Sequence, residues 1–463
     1  MKYELTSSCG SDRLILIFAG WGMEPRVFAH LSHEGYDIAV VWDYRDFGID
    51  WSVIDSYREI CVIAWSLGVY AAAMTCHGIE NRVTLRIAVN GTTTPVHDSL
   101  GIPEAVYEGT ASTLDSRRLE KFFRRMCGDR DSYAHFSSRA PQRPVDELVD
   151  ELNAIWPQPV LANPQISGWD RAYIGRSDAI FPAVNQQRAW DAAGVPVTAL
   201  DAPHYIDLQR IIDHAVIHKE LAARRFGERR QSYEKHARVQ RRIVEALDAA
   251  IRRNRIDEHL AVSGHAVLEI GCGTGLLTRC LLEYLKPEAL HLWDIAPDAF
   301  TVPGATFRAC DAELAITRTL PERFDAIVSA STVQWFNSPR RFMAECGRVL
   351  RPGGWLVLSA FARGNLEEVA QATGRSLPLL PAEEWKAMVP DGFEVIEFTC
   401  NTAELVFGSP IDVFRHLQLT GVNGLGSYSG AALRRAIDNY PMRLDGRYYL
   451  TYKPFILIAR KKR

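Results

Sequence analysis

Apolar residues along this chain gather in short, nearly continuous runs, separated by longer stretches in which apolar positions recur with helical spacing. In the first half such runs predict six strands, at Arg13–Phe18, Ile38–Trp42, Ile60–Trp65, Leu85–Val89, Arg171–Ile174 and Val195–Leu200. Strands that lack alternation are covered on both faces, so the pattern predicts an α/β fold with a mainly parallel sheet. About eighty residues separate the fourth strand from the fifth, and the helical segment His97 to Pro164 between them reads as an excursion above the sheet, where a lid would sit. The second half repeats the α/β rhythm. Ala266–Ile270 is a strand opening into a glycine-rich turn and a helix from Leu276 to Tyr284, and further strands are expected to end at Asp294 and Asp311. Phe324–Ala330 supplies the fourth, and Leu350–Ala360 reads as a turn feeding the fifth.

Between about Ile211 and Arg255 the composition turns helical and basic, with Arg pairs at 224–225, 229–230, 241–242 and 252–253. That stretch is the expected junction, dividing the chain into residues 1–215 and 216–463. A length of 463 residues suits two or three domains. The formal net charge of −3 gives no global basic excess to attract nucleic acid or an anionic membrane. Nine cysteines scattered over so long a chain read as reduced thiols and not as a disulfide framework. No signal peptide and no apolar run of about 20 residues is present, so a cytoplasmic location is expected. No metal is expected.

Chemistry enters at Ser66. The third strand candidate runs into Ala64-Trp-Ser-Leu-Gly68 and then a helix rich in small residues, as in a G-x-S-x-G nucleophile elbow with Ala64 in the first glycine position. Asp178 follows the fifth strand candidate and His204 the sixth, which is the order Ser, Asp, His that such a fold requires. Trp21, in Phe18-Ala-Gly-Trp-Gly-Met23, is placed to offer a backbone N–H to an oxyanion together with that of Leu67. Each residue has a plainer reading: Ser66 as a helix cap, Asp178 as a turn cap, His204 as a loop histidine with Asp201 as rival partner.

The Trp21 segment, the Ser66 elbow, Arg118-Leu-Glu-Lys-Phe-Phe-Arg-Arg-Met126 and the Asp178 and His204 segments together resemble the pimeloyl-acyl-carrier-protein methyl ester esterases of biotin synthesis, over about residues 1 to 215. The likeness is to a short branch that begins directly at the third strand of the usual hydrolase sheet. It implies an α/β-hydrolase domain with a helical lid, and Ser66, Asp178 and His204 as nucleophile, acid and base. From Arg117 to Arg143 there are eight basic residues, of which Arg117, Arg118, Lys121, Arg124 and Arg125 recur on one helical face. An acyl carrier protein is the acidic partner expected there; the alternative is a merely solvated face.

In the second half Glu269-x-Gly271-x-Gly273-x-Gly275 places an acidic residue at the entry of the turn, a poor neighbour for a pyrophosphate but a good one for a cationic cofactor. Asp294 is placed for ribose hydroxyls, and Asp311, followed by Ala312, for an adenine amino group. The whole resembles the class I S-adenosylmethionine-dependent methyltransferases, which implies a Rossmann-like fold and that cofactor. Ser232-Tyr-Glu-Lys-His-Ala-Arg-Val-Gln240, Ser331-Thr-Val-Gln-Trp335, Arg415-His-Leu-Gln-Leu-Thr-Gly-Val-Asn-Gly424 and Leu450-Thr-Tyr-Lys-Pro454 narrow the resemblance to the malonyl-acyl-carrier-protein O-methyltransferases, over about residues 228 to 463. In that family the first of these segments packs near the cofactor, so Tyr233 and Gln240 are expected to cover it.

Together the resemblances imply one enzyme with two activities: methylation of the free carboxylate of malonyl-acyl carrier protein, and hydrolysis of the methyl ester of pimeloyl-acyl carrier protein. A carboxylate acceptor is ionised at neutral pH and needs no base, only a clamp such as Arg415, His416 or Arg363. Two other readings stay open. One is a tailoring enzyme acting on free small molecules; the other is a single methyltransferase carrying a non-catalytic, carrier-binding hydrolase-like module.

Overall fold

A computed structural model describes residues 1–156, 168–228, 236–262, 264–420 and 430–463. The chain divides into two compact units, Met1–Val216 and Ile217–Arg463.

Among the described residues the first unit has seven strands: β1 (Lys2–Ser7), β2 (Arg13–Phe18), β3 (Asp37–Trp42), β4 (Glu59–Trp65), β5 (Val83–Val89), β6 (Arg171–Gly175) and β7 (Val197–Leu200). They lie in the order β1-β3-β2-β4-β5-β6-β7, with β2 to β7 parallel and β1 antiparallel to β3. The whole of β2 and β4 is buried, as their unbroken apolar runs require of strands covered on both faces. Strand β1 corrects the expectation that the sheet begins at Arg13. Its residues Lys-Tyr-Glu-Leu-Thr-Ser are only half-buried on an edge, so they carry no continuous apolar signal.

Among the described residues between β5 and β6 lie four helices, Glu104–Thr113, Ser116–Cys127, Arg130–Ser137 and Val145–Ile155. The second starts at Asp115, whose side chain accepts from Arg118 N, and stops at Gly128 with φ of 75°. The third starts at Asp129, whose carboxylate accepts from the N–H groups of Asp131 and Ser132. Val145–Ile155 is anchored from below, since Trp21 Nε1 donates to Leu148 O at 2.9 Å and buried Arg143 pairs with Glu151 at 2.6 Å.

In the second unit β8 (Val267–Ile270), β9 (Leu290–Asp294), β10 (Thr306–Ala309), β11 (Phe324–Ala330) and β12 (Leu350–Phe361) are parallel. Strands β13 (Phe393–Cys400) and β16 (Pro454–Lys461) complete the order β10-β9-β8-β11-β12-β16-β13, both pairing antiparallel. A small pair, β14 (Ala403–Phe407) and β15 (Tyr448–Tyr452), stands apart. The order reverses at β8, which opens the crevice where α/β sheets bind ligands. The basic stretch after residue 236 is the helix Arg238–Arg253, whose Val244, Leu247 and Ile251 enter the core while Arg241, Arg242, Arg252 and Arg253 stay outside. It is a core helix of this unit and not a tether.

No disulfide joins any of the nine cysteines. Among the described residues no helix is long and apolar enough to cross a membrane.

Candidate active sites

Ser66 sits between β4 and the helix Leu67–Thr75 with φ of 59° and ψ of −129°, a conformation that non-glycine residues adopt only when the surroundings hold them there. It occupies the helix-cap position but makes no side-chain cap bond. Instead its Oγ lies 3.0 Å from His204 Nε2, and His204 Nδ1 lies 2.9 Å from Asp178 Oδ2. A carboxylate only accepts, so the proton belongs on Nδ1 and the Nε2 lone pair faces the serine hydroxyl. Asp178 Oδ1 accepts from the N–H groups of Ile180 and Phe181, and Oδ2 also from Gln186 Nε2 at 3.0 Å. All three residues are buried, whereas the rival Asp201 is exposed.

Backbone approach explains which small residues the elbow needs. A Cβ at Gly68 would stand 2.3 Å from Phe18 O, and one at Gly91 would stand 2.2 Å from Ser66 O. Ala64, which departs from the motif, lies inside β4 paired with Phe18 and Ala88, where its methyl group is simply buried. A cavity beside Ser66 is lined by Trp21, Leu67, Ile102, Tyr107 and Phe122, with Arg125 at its edge. Leu67 opens the helix, so its N–H has no intrahelical acceptor. Arg117, Arg118, Lys121, Arg124 and Arg125 are all exposed on Ser116–Cys127. Arg118 donates to Thr113 O, and Arg124 pairs with Glu120 at 2.7 Å and covers the Tyr133 ring.

The second cavity lies at the carboxyl ends of β8 and β9. Its floor is the turn after β8, where Gly271, Gly273 and Gly275 have φ of 74°, 51° and 82°. A Cβ at Gly271 would fall 2.0 Å from Thr332 Oγ1, and one at Gly275 would fall 2.4 Å from the Phe300 ring. Side chains at these positions would fill the cradle. Glu269 is buried at the entry of this turn, and burial pushes its carboxyl up to about 8, with the charge of Asp294 acting in the same direction. Its Oε2 has no hydrogen-bond partner, nor has Nε2 of Gln240, which is buried in the wall of the same cavity. Asp294 ends β9 and accepts from Gly273 N and Ala296 N.

Asp311 does not end a strand as expected. Strand β10 stops at Ala309, and Asp311 caps the short helix Ala312–Ala315 by accepting from Glu313 N. Its other oxygen takes an ion pair from Lys219 at 2.7 Å. Ala312 opens that helix at the cavity wall. Tyr233 lies outside the described residues. The donor set suits S-adenosylmethionine: an acid with one unpartnered oxygen beside a glycine cradle, an unpartnered amide donor, a carboxylate ending β9 and another capping the helix after β10.

Family models match residues 1–215 as the pimeloyl-ACP methyl esterase BioG and residues 268–358 as a methyltransferase domain. A malonyl-acyl-carrier-protein O-methyltransferase of Bacteroides fragilis is 34% identical, over 97% of this chain and 93% of its own. The chain belongs to the malonyl-acyl-carrier-protein O-methyltransferase family. A member from Acinetobacter baylyi is 30% identical over 53% of this chain and 98% of its own length. A crystal structure of BioG from Haemophilus influenzae is 35% identical, covering 44% of this chain and 94% of that one, with a TM-score of 0.41. This malonyl-acyl-carrier-protein O-methyltransferase family member thus joins a BioG-type esterase domain to a class I methyltransferase domain, and its methyl donor is S-adenosylmethionine.

None of the three clamp candidates lines the cofactor cavity. Arg415 is exposed and pairs with Asp412, Arg363 is exposed, and His416 bonds to the Tyr452 hydroxyl at 3.0 Å. Burial pulls His416 down to about 4, so it is neutral at pH 7 and supplies no charge to a carboxylate.

Three residues of the two sites escaped the sequence reading. Asn90 and Gln186 hold the His204 and Asp178 loops, and Lys219 holds Asp311. Asn90-Gly91 after a strand is a turn signal that marked the first; nothing local marks the others.

Proposed function

We propose that this enzyme carries two opposed activities in biotin precursor synthesis. The C-terminal unit methylates the free carboxylate of malonyl-acyl carrier protein. The N-terminal unit hydrolyses the methyl ester of pimeloyl-acyl carrier protein. The observation that carries the reading is the unbroken hydrogen-bond relay Ser66–His204–Asp178, in one chain with a cavity fitted for S-adenosylmethionine. The likeness to named malonyl-acyl-carrier-protein O-methyltransferases supports the first activity and the BioG match supports the second.

In the methyltransferase cavity, bound S-adenosylmethionine supplies an electrophilic methyl group on a sulfonium. Glu269 and Gln240 would hold its amino-acid end, Asp294 the ribose and Asp311 with Ala312 the adenine. A malonyl carboxylate needs no base, so the enzyme's work is to align it and exclude water.

In the esterase, Ser66 Oγ bonds to the ester carbonyl carbon while His204 Nε2 takes its proton, and the N–H groups of Trp21 and Leu67 receive the oxyanion. Collapse breaks the bond to the methoxy oxygen, which leaves as methanol with the proton from His204. Water then gives a proton to His204 as it attacks the acyl-enzyme, and the free carboxylic acid departs as Ser66 recovers its proton. Gln186 and the two N–H groups on Asp178 keep the carboxylate oriented toward His204. The stripe Arg117, Arg118, Lys121, Arg124 and Arg125 docks the acidic carrier beside the cavity mouth. Methylation masks a charge that would be costly in apolar elongation pockets, and hydrolysis restores it after elongation.

The test is intact-mass measurement of the carrier protein after incubating the purified chain with malonyl-acyl carrier protein and S-adenosylmethionine, and separately with the pimeloyl methyl ester form. One methyl gained in the first case and one lost in the second is expected. Methyl transfer only to free small acids would overturn the carrier-protein reading. Hydrolysis unchanged by Ser66→Ala would overturn the serine mechanism.

A further inference from the structure

Lys219 lies upstream of every motif by which the methyltransferase half resembles its family, yet its side chain is buried in the cofactor cavity. Its ammonium is 2.7 Å from Asp311 Oδ2 and 2.6 Å from Glu313 Oε2. Glu313 in turn accepts from the backbone N–H groups of Asn337 and Ser338, at 3.0 and 2.5 Å. Asn337 Oδ1 takes Ile217 N at 2.8 Å. The start of this segment is therefore stitched to the loops beyond β10 and β11. Further along the helix Lys219–Glu228, the Phe226 ring comes within 3.6 Å of where a Cβ on Gly273 would stand. One helix thus touches the adenine end of the site through Lys219 and the glycine turn through Phe226.

The one ammonium thus bridges two buried carboxylates and fixes where the Asp311 oxygens point. Without that ammonium, Asp311 Oδ2 would lose the partner that orients it. An adenine amino group also donates, so it needs Asp311 to remain an acceptor. We infer that Lys219 is a positioning residue for the cofactor: it holds Asp311 as an oriented acceptor, and makes the segment beginning at Ile217 part of the S-adenosylmethionine site. This rests on the reading that Asp311 receives the adenine.

The test is calorimetric titration of the full chain with S-adenosylhomocysteine. Lys219→Met is expected to weaken binding roughly tenfold or more, since it strands a buried acceptor. Lys219→Arg should recover most of the affinity. In a double-mutant cycle, Lys219→Met with Asp311→Asn should bind no more weakly than the worse single variant, a coupling that general loosening of the fold would not produce. Should Lys219→Met unfold, Lys219→Met with Glu313→Gln removes the cation together with one carboxylate, and the same loss of affinity is expected. Wild-type chain that does not bind, or Asp311→Asn that binds as well as wild type, would overturn the cofactor reading beneath the inference. Asp311→Asn weakened while Lys219→Met, or its Glu313→Gln double if the single unfolds, stays within twofold of wild type would overturn the inference itself.

Discussion

Asn90 donates from Nδ2 to the main-chain oxygen of His204 at 2.7 Å, so the end of β5 holds the loop that carries the imidazole. The same amide donates to Pro203 O at 3.0 Å, and its Oδ1 accepts from Gly175 N at 2.7 Å, three residues before Asp178. Asn90 is wholly buried with φ of 46°, a conformation asparagine tolerates better than most residues. One side chain thereby fixes the spacing of the two loops that present Asp178 and His204. Asn90→Ala leaves buried groups on both loops without this partner, at a cost of about 2 kcal/mol or more. The expected kinetic result is a fall in esterase kcat of roughly 10- to 100-fold with KM little changed, and methyl transfer as in wild type.

Ser66→Ala removes the proposed nucleophile and leaves the sequence of the second unit unchanged. Ester hydrolysis is expected to drop by about a thousandfold or more. Methylation of the malonyl carrier should be unchanged, or increase in yield because product is no longer cleaved. Mass measurement of the carrier over time checks both.

Glu269 gives the cofactor site a pH signature. With burial raising its carboxyl to about 8, it is mostly protonated at pH 7 in the ligand-free chain. A cationic ligand beside it favours the charged form, so binding at pH 7 should release a proton, and affinity should rise with pH and level off above about 8. Calorimetry in two buffers of different ionisation enthalpy measures that release, and Glu269→Gln should abolish it. The linked effect on folding has the opposite sense. The folded pKa stands above the ordinary value of 4.5, so this carboxyl's contribution to ligand-free stability is full below pH 4.5 and is lost as pH rises through about 8.

Gly271→Ala places a methyl group 2.0 Å from Thr332 Oγ1 at φ of 74°. Strain and displacement together should cost about 2 kcal/mol of stability and most of the affinity for S-adenosylhomocysteine. Adding Thr332→Ala should restore part of each, which a thermal melt and a titration would show.

If the basic lid face docks the carrier as proposed, its charges bear on the carrier and not on the ester. Arg117→Glu with Lys121→Glu is expected to lower kcat/KM for the carrier-bound methyl ester about tenfold, while a small soluble ester is turned over as before. In wild type, kcat/KM on the carrier substrate should fall as salt is raised, since exposed charges are screened.

Much of this protein is written locally. Continuous apolar runs marked β2 to β6, and Phe324–Ala330 was read with the bounds that β11 has. A serine before a run of small residues marked the strained turn at Ser66, and Glu269 with three glycines marked the turn after β8. In each case the chemistry lies within a few residues, so composition and spacing suffice. Strand β1 lacked that signal because an edge strand is half solvated and alternates weakly. Strands β13 and β16, which close the second sheet, followed segments for which no strand was expected.

What the sequence determined by itself was the order of strands and helices and the kinds of group at the turns: serine, then aspartate, then histidine in one half, and an acid entering a glycine turn in the other. The tertiary structure decided which of these groups meet and what holds them. His204 chose Asp178 over the nearer Asp201, Asn90 bound a loop more than a hundred residues away, and Lys219 reached Asp311. Such partners are set by how strands cross over and pair side by side, and a buried polar group must take whichever partner that crossing brings within about 3 Å.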